Sequence, residues 1–338
     1  MVDLRGGLKS KPMTEMRFFT ESWPIEGAFT ISRGSKRQAD VVVVALQCNN
    51  ITGYGECVPY SRYGESLDSV IAQLTSLNSD VRNGLDREHL QTILPAGAAR
   101  NALDCAFWDL ECKQHQQRIW QRLNLPLPTA LETAYTLSLD TPDGMRHAAI
   151  CNAHRPLLKL KLADTDDLAR VAAVREGAPL ARLIVDANEG WDTDRYLTLV
   201  PELAALGVTM IEQPFPAGQD DVLADLPRPI PVCADESCHD SQSLTALIGR
   251  YDMINIKLDK TGGLTEALRL RKYAQEQGLK IMVGCMVSTS LSMAPAFVVA
   301  QGATVVDLDG PLLLQRDRNN GLHYNGSEIL PPNALLWG

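Results

Sequence analysis

Cationic excess is missing from this chain. Its 338 residues carry 32 Lys and Arg against 41 Asp and Glu, a formal charge of −9. An acidic surface repels phosphate backbones, so nucleic acid is not an expected partner. No basic amphipathic stretch suits a membrane surface. Long apolar runs are also absent. The longest strongly apolar one, Val41 to Leu46, falls far short of a membrane span. Met1–Pro12 is polar with no apolar h-region, so the expectation is no secretory signal and a cytoplasmic protein. The eight cysteines form no CxxC pair and no zinc-finger spacing with His. They are expected to be reduced, buried thiols. Disorder, collagen and low complexity are excluded by 45% hydrophobic and 22% charged residues.

What is present divides in two. Arg17–Ser22 and the β-branched run Val41–Leu46 predict extended segments, with a polar loop at Ser32–Arg37 between them. Gly53–Cys57 continues as strand and turn, and Pro59–Ser66 reads as a second polar loop. Leu67–Leu123 has helical spacing. Strands followed by helices predict an α+β unit over residues 1–125.

From there short apolar strands alternate with helical stretches. They begin at residues 131, 157, 182, 208, 231, 253, 280 and 304, steps of 22 to 27 residues. That step is one strand plus a crossover helix. The predicted fold class is α/β, a modified (β/α)8 TIM-type barrel over 126–317 with an N-terminal α+β capping domain. The tail, 318–338, is expected to return to that cap. A doubly wound sheet is the rival, but its Gly-rich phosphate turn is missing.

Charged residues close the predicted strands in step. They are Lys159 and Lys161, Asp186, Glu212, Asp235, Lys257, and Asp307 with Asp309. The C-terminal strand ends of such a barrel hold its active site. Asp186, Glu212 and Asp235 come from adjacent strands. Three convergent carboxylates repel unless a proton or a metal neutralises them. Oxygen ligands without His or Cys favour Mg²⁺ over zinc. Lys159 and Lys161 share one side of their strand, and Lys257 lies across the barrel mouth. Partly desolvated lysines near other cations are expected to have lowered pKa values and to serve as bases. Two such groups flanking one carbon suit proton removal on one face and delivery on the other. A metal-bound carboxylate makes that proton removable by stabilising an enediolate.

The motifs Lys159-Leu160-Lys161, Asp186-Ala187-Asn188, Glu212-Gln213-Pro214, Asp235-Glu236-Ser237 and Asn255-Ile256-Lys257-Leu258 resemble the enolase superfamily, within it the muconate-lactonising subgroup. A lysine base with Mg²⁺ is that superfamily's pattern. Asp307-Leu308-Asp309-Gly310-Pro311 is similar to the Asp-x-Asp signature of its dipeptide epimerases, most closely those acting on L-Ala-D/L-Glu. The resemblance implies an isomerase using one Mg²⁺ per chain, held by Asp186, Glu212 and Asp235. Lys161 and Lys257 exchange the roles of base and acid, and Lys159 stabilises the enediolate. Asp307 and Asp309 receive the ammonium of a small dipeptide substrate. Arg33 takes the glutamate side-chain carboxylate, with Arg62 as a substitute. Thr136 and Met286 match substrate-lining positions, and the two polar loops form a lid. A role in murein peptide recycling follows from the resemblance alone.

Three alternatives stay open: an N-acylamino acid racemase or o-succinylbenzoate synthase of the same subgroup, a non-catalytic acidic-peptide binding protein, and a Schiff-base aldolase. The oligomeric state is open, a homo-oligomer included.

Overall fold

The computed structural model describes residues 13–163 and 165–338, so the reading of Met1–Pro12 lies outside the described residues. The chain opens with a three-stranded antiparallel sheet, Thr14–Ile31, Gly34–Cys48 and Ile51–Cys57, in that order. The first hairpin is far longer than the expected Arg17–Ser22 segment. Its strands stay paired from Thr14↔Cys48 to Ile31↔Gly34, across a register shift between Pro24 and Phe29. Pro24 and Gly27 break the alternation on which a strand reading depends, and pairing with the neighbouring strand overrides them. The expected loop Ser32–Arg37 therefore shrinks to a turn at Ser32-Arg33.

Helices Leu67–Ser76, Asn78–Arg82, Arg87–Ile93 and Ala98–His115 follow. The last is buried on nearly every side, because it lies between the sheet and the rest of the molecule. Gly55 permits this close approach: a Cβ there would lie 2.0 Å from the Ala102 carbonyl oxygen.

Eight parallel strands form the barrel: Tyr135–Leu137, Leu157–Lys161, Arg182–Asp186, Val208–Glu212, Val232–Ala234, Met253–Ile256, Lys280–Gly284 and Val305–Asp307. The Ala134 N–H donates to the Val306 carbonyl at 2.8 Å, linking the last strand to the segment entering the first. Two expectations need adjusting. Leu131–Glu132 does not join the barrel; it pairs antiparallel with the tail strand Glu328–Ile329. The crossovers after the fourth and fifth strands contain 3₁₀ turns, Asp221–Ala224 and Leu244–Ala246, and no α-helix. Pro214, Pro216, Pro227, Pro229 and Pro231 crowd the first of these and withhold the N–H groups a helix needs.

Side-chain alternation layers the barrel interior. Leu157, Ile184, Met210, Cys233, Met253 and Met282 form an apolar floor with Ala134. Two residues further along the strands stand Lys159, Asp186, Glu212, Asp235 and Asn255. The same period that builds the floor thus delivers the polar layer.

The tail runs back to the N-terminal helices. Trp337 is fully buried, with its indole N–H on the Cys105 carbonyl at 3.0 Å. The Gly338 carbonyl accepts the Ile119 N–H at 2.9 Å. All eight cysteines are free thiols; Cys151 is exposed and Cys285 half-buried, unlike the other six. Among the described residues, no helix is long and apolar enough to cross a membrane.

Candidate active site and metal centre

Parallel register places the acids side by side. Asp186 pairs with Lys161 on one side and Glu212 on the other. Asp186, Glu212 and Asp235 offer oxygens that all lie within 4.8 Å of one another, and all three residues are buried. Lys161 Nζ is 2.6 Å from Asp186 Oδ2. Lys257 Nζ is 2.7 Å from Asp235 Oδ2. Their strands are the second and the sixth of eight, so the two amines approach the acid cluster from opposite sides of the barrel. Lys159 sits within the cluster, 2.6 Å from Glu212 Oε2, 3.5 Å from Asp186 Oδ2 and 2.7 Å from Asp307 Oδ2.

The electrostatics correct one expectation. Burial pulls the Lys257 and Lys159 pKa values down, but neighbouring carboxylates outweigh it. Asp235 and Glu212 raise Lys257; Asp307, Glu212, Asp186 and Asp235 raise Lys159. Both amines stand well above the ordinary lysine range. The lowered values expected from cation crowding do not hold for Lys159 and Lys257, because each of these two meets acids before it meets another lysine. The acids divide. Burial raises Asp186 and Asp235, yet Lys161 and Lys159 hold Asp186 below its usual value, and Lys257, Lys260 and Lys159 hold Asp235 well below it. Glu212 is pushed up to about 7 by burial and then by the charge of Asp186.

The donor set fits a hard divalent cation. It is all oxygen, and all three acids are buried. Asn188 Oδ1 and Asn255 Oδ1 are buried, unsatisfied acceptors close by in sequence or contact. The backbone turns sharply after two of the acids, with positive φ at Asn188, Glu189 and Gln213. Such strain clusters at sites whose geometry the surroundings impose.

Two supporting groups, Asn255 and Gln213, stand within the motifs, and a third, Lys260, lies outside them. Asn255 Nδ2 donates to Glu212 Oε1 at 2.7 Å. It lies two residues before Lys257, a same-face spacing that could have exposed it. Gln213 Oε1 accepts the Asp235 and Ser237 N–H groups at 2.8 and 3.1 Å. The buried Lys260 Nζ holds Asp235 Oδ1 at 2.6 Å. Gly284 is required beside Asn255: a Cβ there would meet Asn255 Oδ1 at 2.7 Å.

The remaining expected residues gather around one cavity of about 390 Å³, lined by Arg33, Thr136, Lys159, Lys161, Met286 and Asp307 among others. Asp309 lines it too, its Oδ2 accepting the Thr136 N–H at 2.6 Å. Burial and the adjacent Asp307 push the Asp309 carboxyl up to about 7. Met286 also packs against the barrel's apolar core. Arg33, at the hairpin tip, reaches the barrel mouth. It donates to Glu236 Oε1 at 2.8 Å, to the Asn188 carbonyl at 3.1 Å and to Tyr60 Oη at 3.1 Å. Arg62 grips Glu189 with two bonds of 2.9 and 2.8 Å. Arg33 and Arg62 are therefore both paired with protein carboxylates, which sequence spacing gave no way to foresee.

A barrel with this acid cluster and opposed lysines defines a class of metal-assisted proton-transfer site. Residues 13–123 match the mandelate racemase / muconate lactonizing enzyme N-terminal domain, and 147–333 match the enolase C-terminal domain-like family. The chain is 47% identical over 319 residues to L-Ala-D/L-Glu epimerase of Escherichia coli K12, covering 94% of this chain and 99% of that one. It is 45% identical to N-acetyl-D-glutamate racemase of a Pseudoalteromonas species, covering 88% of this chain and 95% of that one. A solved enolase family member from Agrobacterium tumefaciens, with homology to dipeptide epimerases and with sodium and L-Ala-L-Glu bound, is 51% identical. It superposes with a TM-score of 0.94, covering 96% of this chain and all of that one. The chain belongs to the enolase superfamily, with both of its mandelate racemase / muconate lactonizing domains.

Proposed function

We propose that this protein is a dipeptide epimerase that inverts the α-carbon of the C-terminal residue in L-Ala-D/L-Glu and related dipeptides. The observation that carries the reading is the opposed pair of lysines, Lys161 and Lys257, flanking one acid cluster. Asp186, Glu212 and Asp235 would hold Mg²⁺, which supplies positive charge to the substrate carboxylate and so acidifies its α-proton. Lys161 removes or returns that proton on one face and Lys257 on the other. Each must first release its carboxylate partner. Lys159 stabilises the charge of the enediolate. Asp307 and Asp309 receive the N-terminal ammonium, Thr136 and Met286 line the pocket, and Arg33 receives the side-chain carboxylate. The lid excludes water from the reacting carbon.

Of the described residues, we place those up to 125 and those of 318–338 in the cap, and those of 126–317 in the barrel. Free thiols suit a cytoplasmic location, and murein peptide recycling is the role that fits the substrate. The kinship with an N-acetyl-D-glutamate racemase supports a second reading, racemisation of N-acylamino acids. The two buried aspartates at the far end of the pocket favour a free ammonium instead.

Proton NMR of the protein with Mg²⁺ and L-Ala-D-Glu in D₂O tests the reading. The Glu α-proton signal should fade while the L,L diastereomer appears, and EDTA should stop both. Exchange of N-acetylglutamate with an inert dipeptide would transfer the assignment to the second reading.

A further inference from the structure

The subsite assigned to the substrate ammonium is not free of cations. Lys159 Nζ stands 2.7 Å from Asp307 Oδ2, and its side chain is 2% exposed. An alkylammonium of the protein thus bridges Asp307 to Glu212 and Asp186. The second oxygen of Asp307, Oδ1, is buried with no hydrogen-bond partner. Asp309 has its Oδ2 committed to the Thr136 N–H. Thr136, Lys159, Asp307 and Asp309 line the same cavity. An entering ammonium therefore shares Asp307 with Lys159.

Two cations on one buried carboxylate repel, and burial leaves that repulsion poorly screened. Lys159 has a second place to direct its charge. It lies against the acid cluster, over which the substrate carboxylate would be held. Resting on the epimerase reading, we infer that the free N-terminal ammonium of the substrate displaces Lys159 from Asp307 and commits it to the charge that builds on the reacting carboxylate. Asp307 is then a positioning residue for Lys159 as well as a contact for the ammonium.

This arrangement makes the substrate's amino group part of its own activation. A ligand of the same shape without that group leaves the Lys159–Asp307 pair intact. It binds, but the lysine that should meet the developing charge is held back. Selection for a free N-terminus then appears in kcat. A subsite that acted only as an anchor would alter KM and leave kcat unchanged.

The test compares L-Ala-L-Glu with N-propionyl-L-glutamate, which differ only by the amino group. Alpha-proton exchange is followed in D₂O with Mg²⁺, for the wild type and for Asp307→Asn. Losing one donor to a developing oxyanion costs on the order of 10²-fold in kcat. The wild type should show a drop of about that size for the propionyl compound, with a smaller change in KM. Methylammonium should restore part of the lost kcat, a readout that needs no variant. Asp307→Asn, which holds neither cation by charge, should bring the two kcat values to within several-fold. Equal wild-type kcat values, with the whole difference in KM, would overturn the inference and leave the epimerase reading standing. So would an Asp307→Asn variant that lowers both kcat values by one common factor. No exchange of L-Ala-L-Glu by the wild type would overturn both.

Discussion

Asp309 shows how one buried side chain can be read both as structure and as recognition. Its carboxyl accepts the Thr136 N–H and faces Asp307, Lys159, Tyr135, Arg155, Cys285 and Tyr324. Burial, and then the charge of Asp307, pushes it up to about 7. Below that pH it is neutral and attracts an ammonium less. If Asp309 holds the substrate ammonium as proposed, the dipeptide KM should rise as pH falls through about 7, by less than about tenfold per pH unit, and level off once the carboxyl is neutral. Asp309→Asn should have a raised KM with little remaining dependence on pH in that window. Steady-state kinetics from pH 6 to 8 check this, and an unchanged pH profile in the variant would remove Asp309 from ammonium recognition. The aspartate pair was legible in the sequence because alternation puts residues 307 and 309 on one side. Its partnership with Lys159 was not, because that contact exists only once the last strand closes against the first.

Strands carry the site, and their ends were the most readable part of the chain. An apolar run of β-branched and aliphatic residues stopped by a charge marks where a buried strand reaches the barrel mouth. The predicted starts at 157, 182, 208, 253 and 280 therefore coincide with the observed ones, and those at 231 and 304 fall one residue early. The first strand misled because Leu131–Glu132 continues the apolar pattern but spends its hydrogen bonds on the tail. The first hairpin misled for the opposite reason: its opening strand is half-exposed and interrupted by Pro24 and Gly27, so its pairing is set by its neighbour and not by composition.

Gly284, at the end of the seventh strand, shows how one element supports another. Gly284→Ala drives a Cβ toward Asn255, the side chain that bonds Glu212. Overpacking of this kind costs about 1–3 kcal/mol. The variant should lose that much stability in a denaturant titration. It should also bind Mn²⁺ about tenfold or more weakly by EPR, as outer-shell changes typically do. Full metal affinity in the variant would show that Asn255 does not place Glu212.

Across the whole molecule, the helix Ala98–His115 and the segment after Lys257 lock the two halves together. Asp259 Oδ1 accepts the Val58 N–H at 3.0 Å and Asn101 Nδ2 at 2.8 Å. Burial pushes this carboxyl up to about 7 from an ordinary value of 3.8. The native state thus holds its proton more tightly than the unfolded chain. The stabilisation is fully present below pH 3.8 and is lost as pH rises through about 7. Asp259→Asn keeps an acceptor for both N–H donors and never ionises. It should exceed the wild type in stability at pH 8, by about 1–3 kcal/mol, and match it near pH 4. Thermal melts at the two pH values decide this; a variant less stable at both would mean the charge is not what strains the interface.

The same two halves enclose the acid cluster, and the proposed reaction makes a stereochemical demand on it. Lys161 and Lys257 stand on opposite sides of the acid cluster, so in the proposed reaction each serves one face of the α-carbon. Lys161→Ala and Lys257→Ala, incubated separately with L-Ala-L-Glu and L-Ala-D-Glu in D₂O, give the most direct reading. Each variant should fail to interconvert the diastereomers, yet still exchange the α-proton of one of them, a different one for each lysine. Interconversion at near-normal rates by either variant would contradict a two-lysine proton transfer at this site.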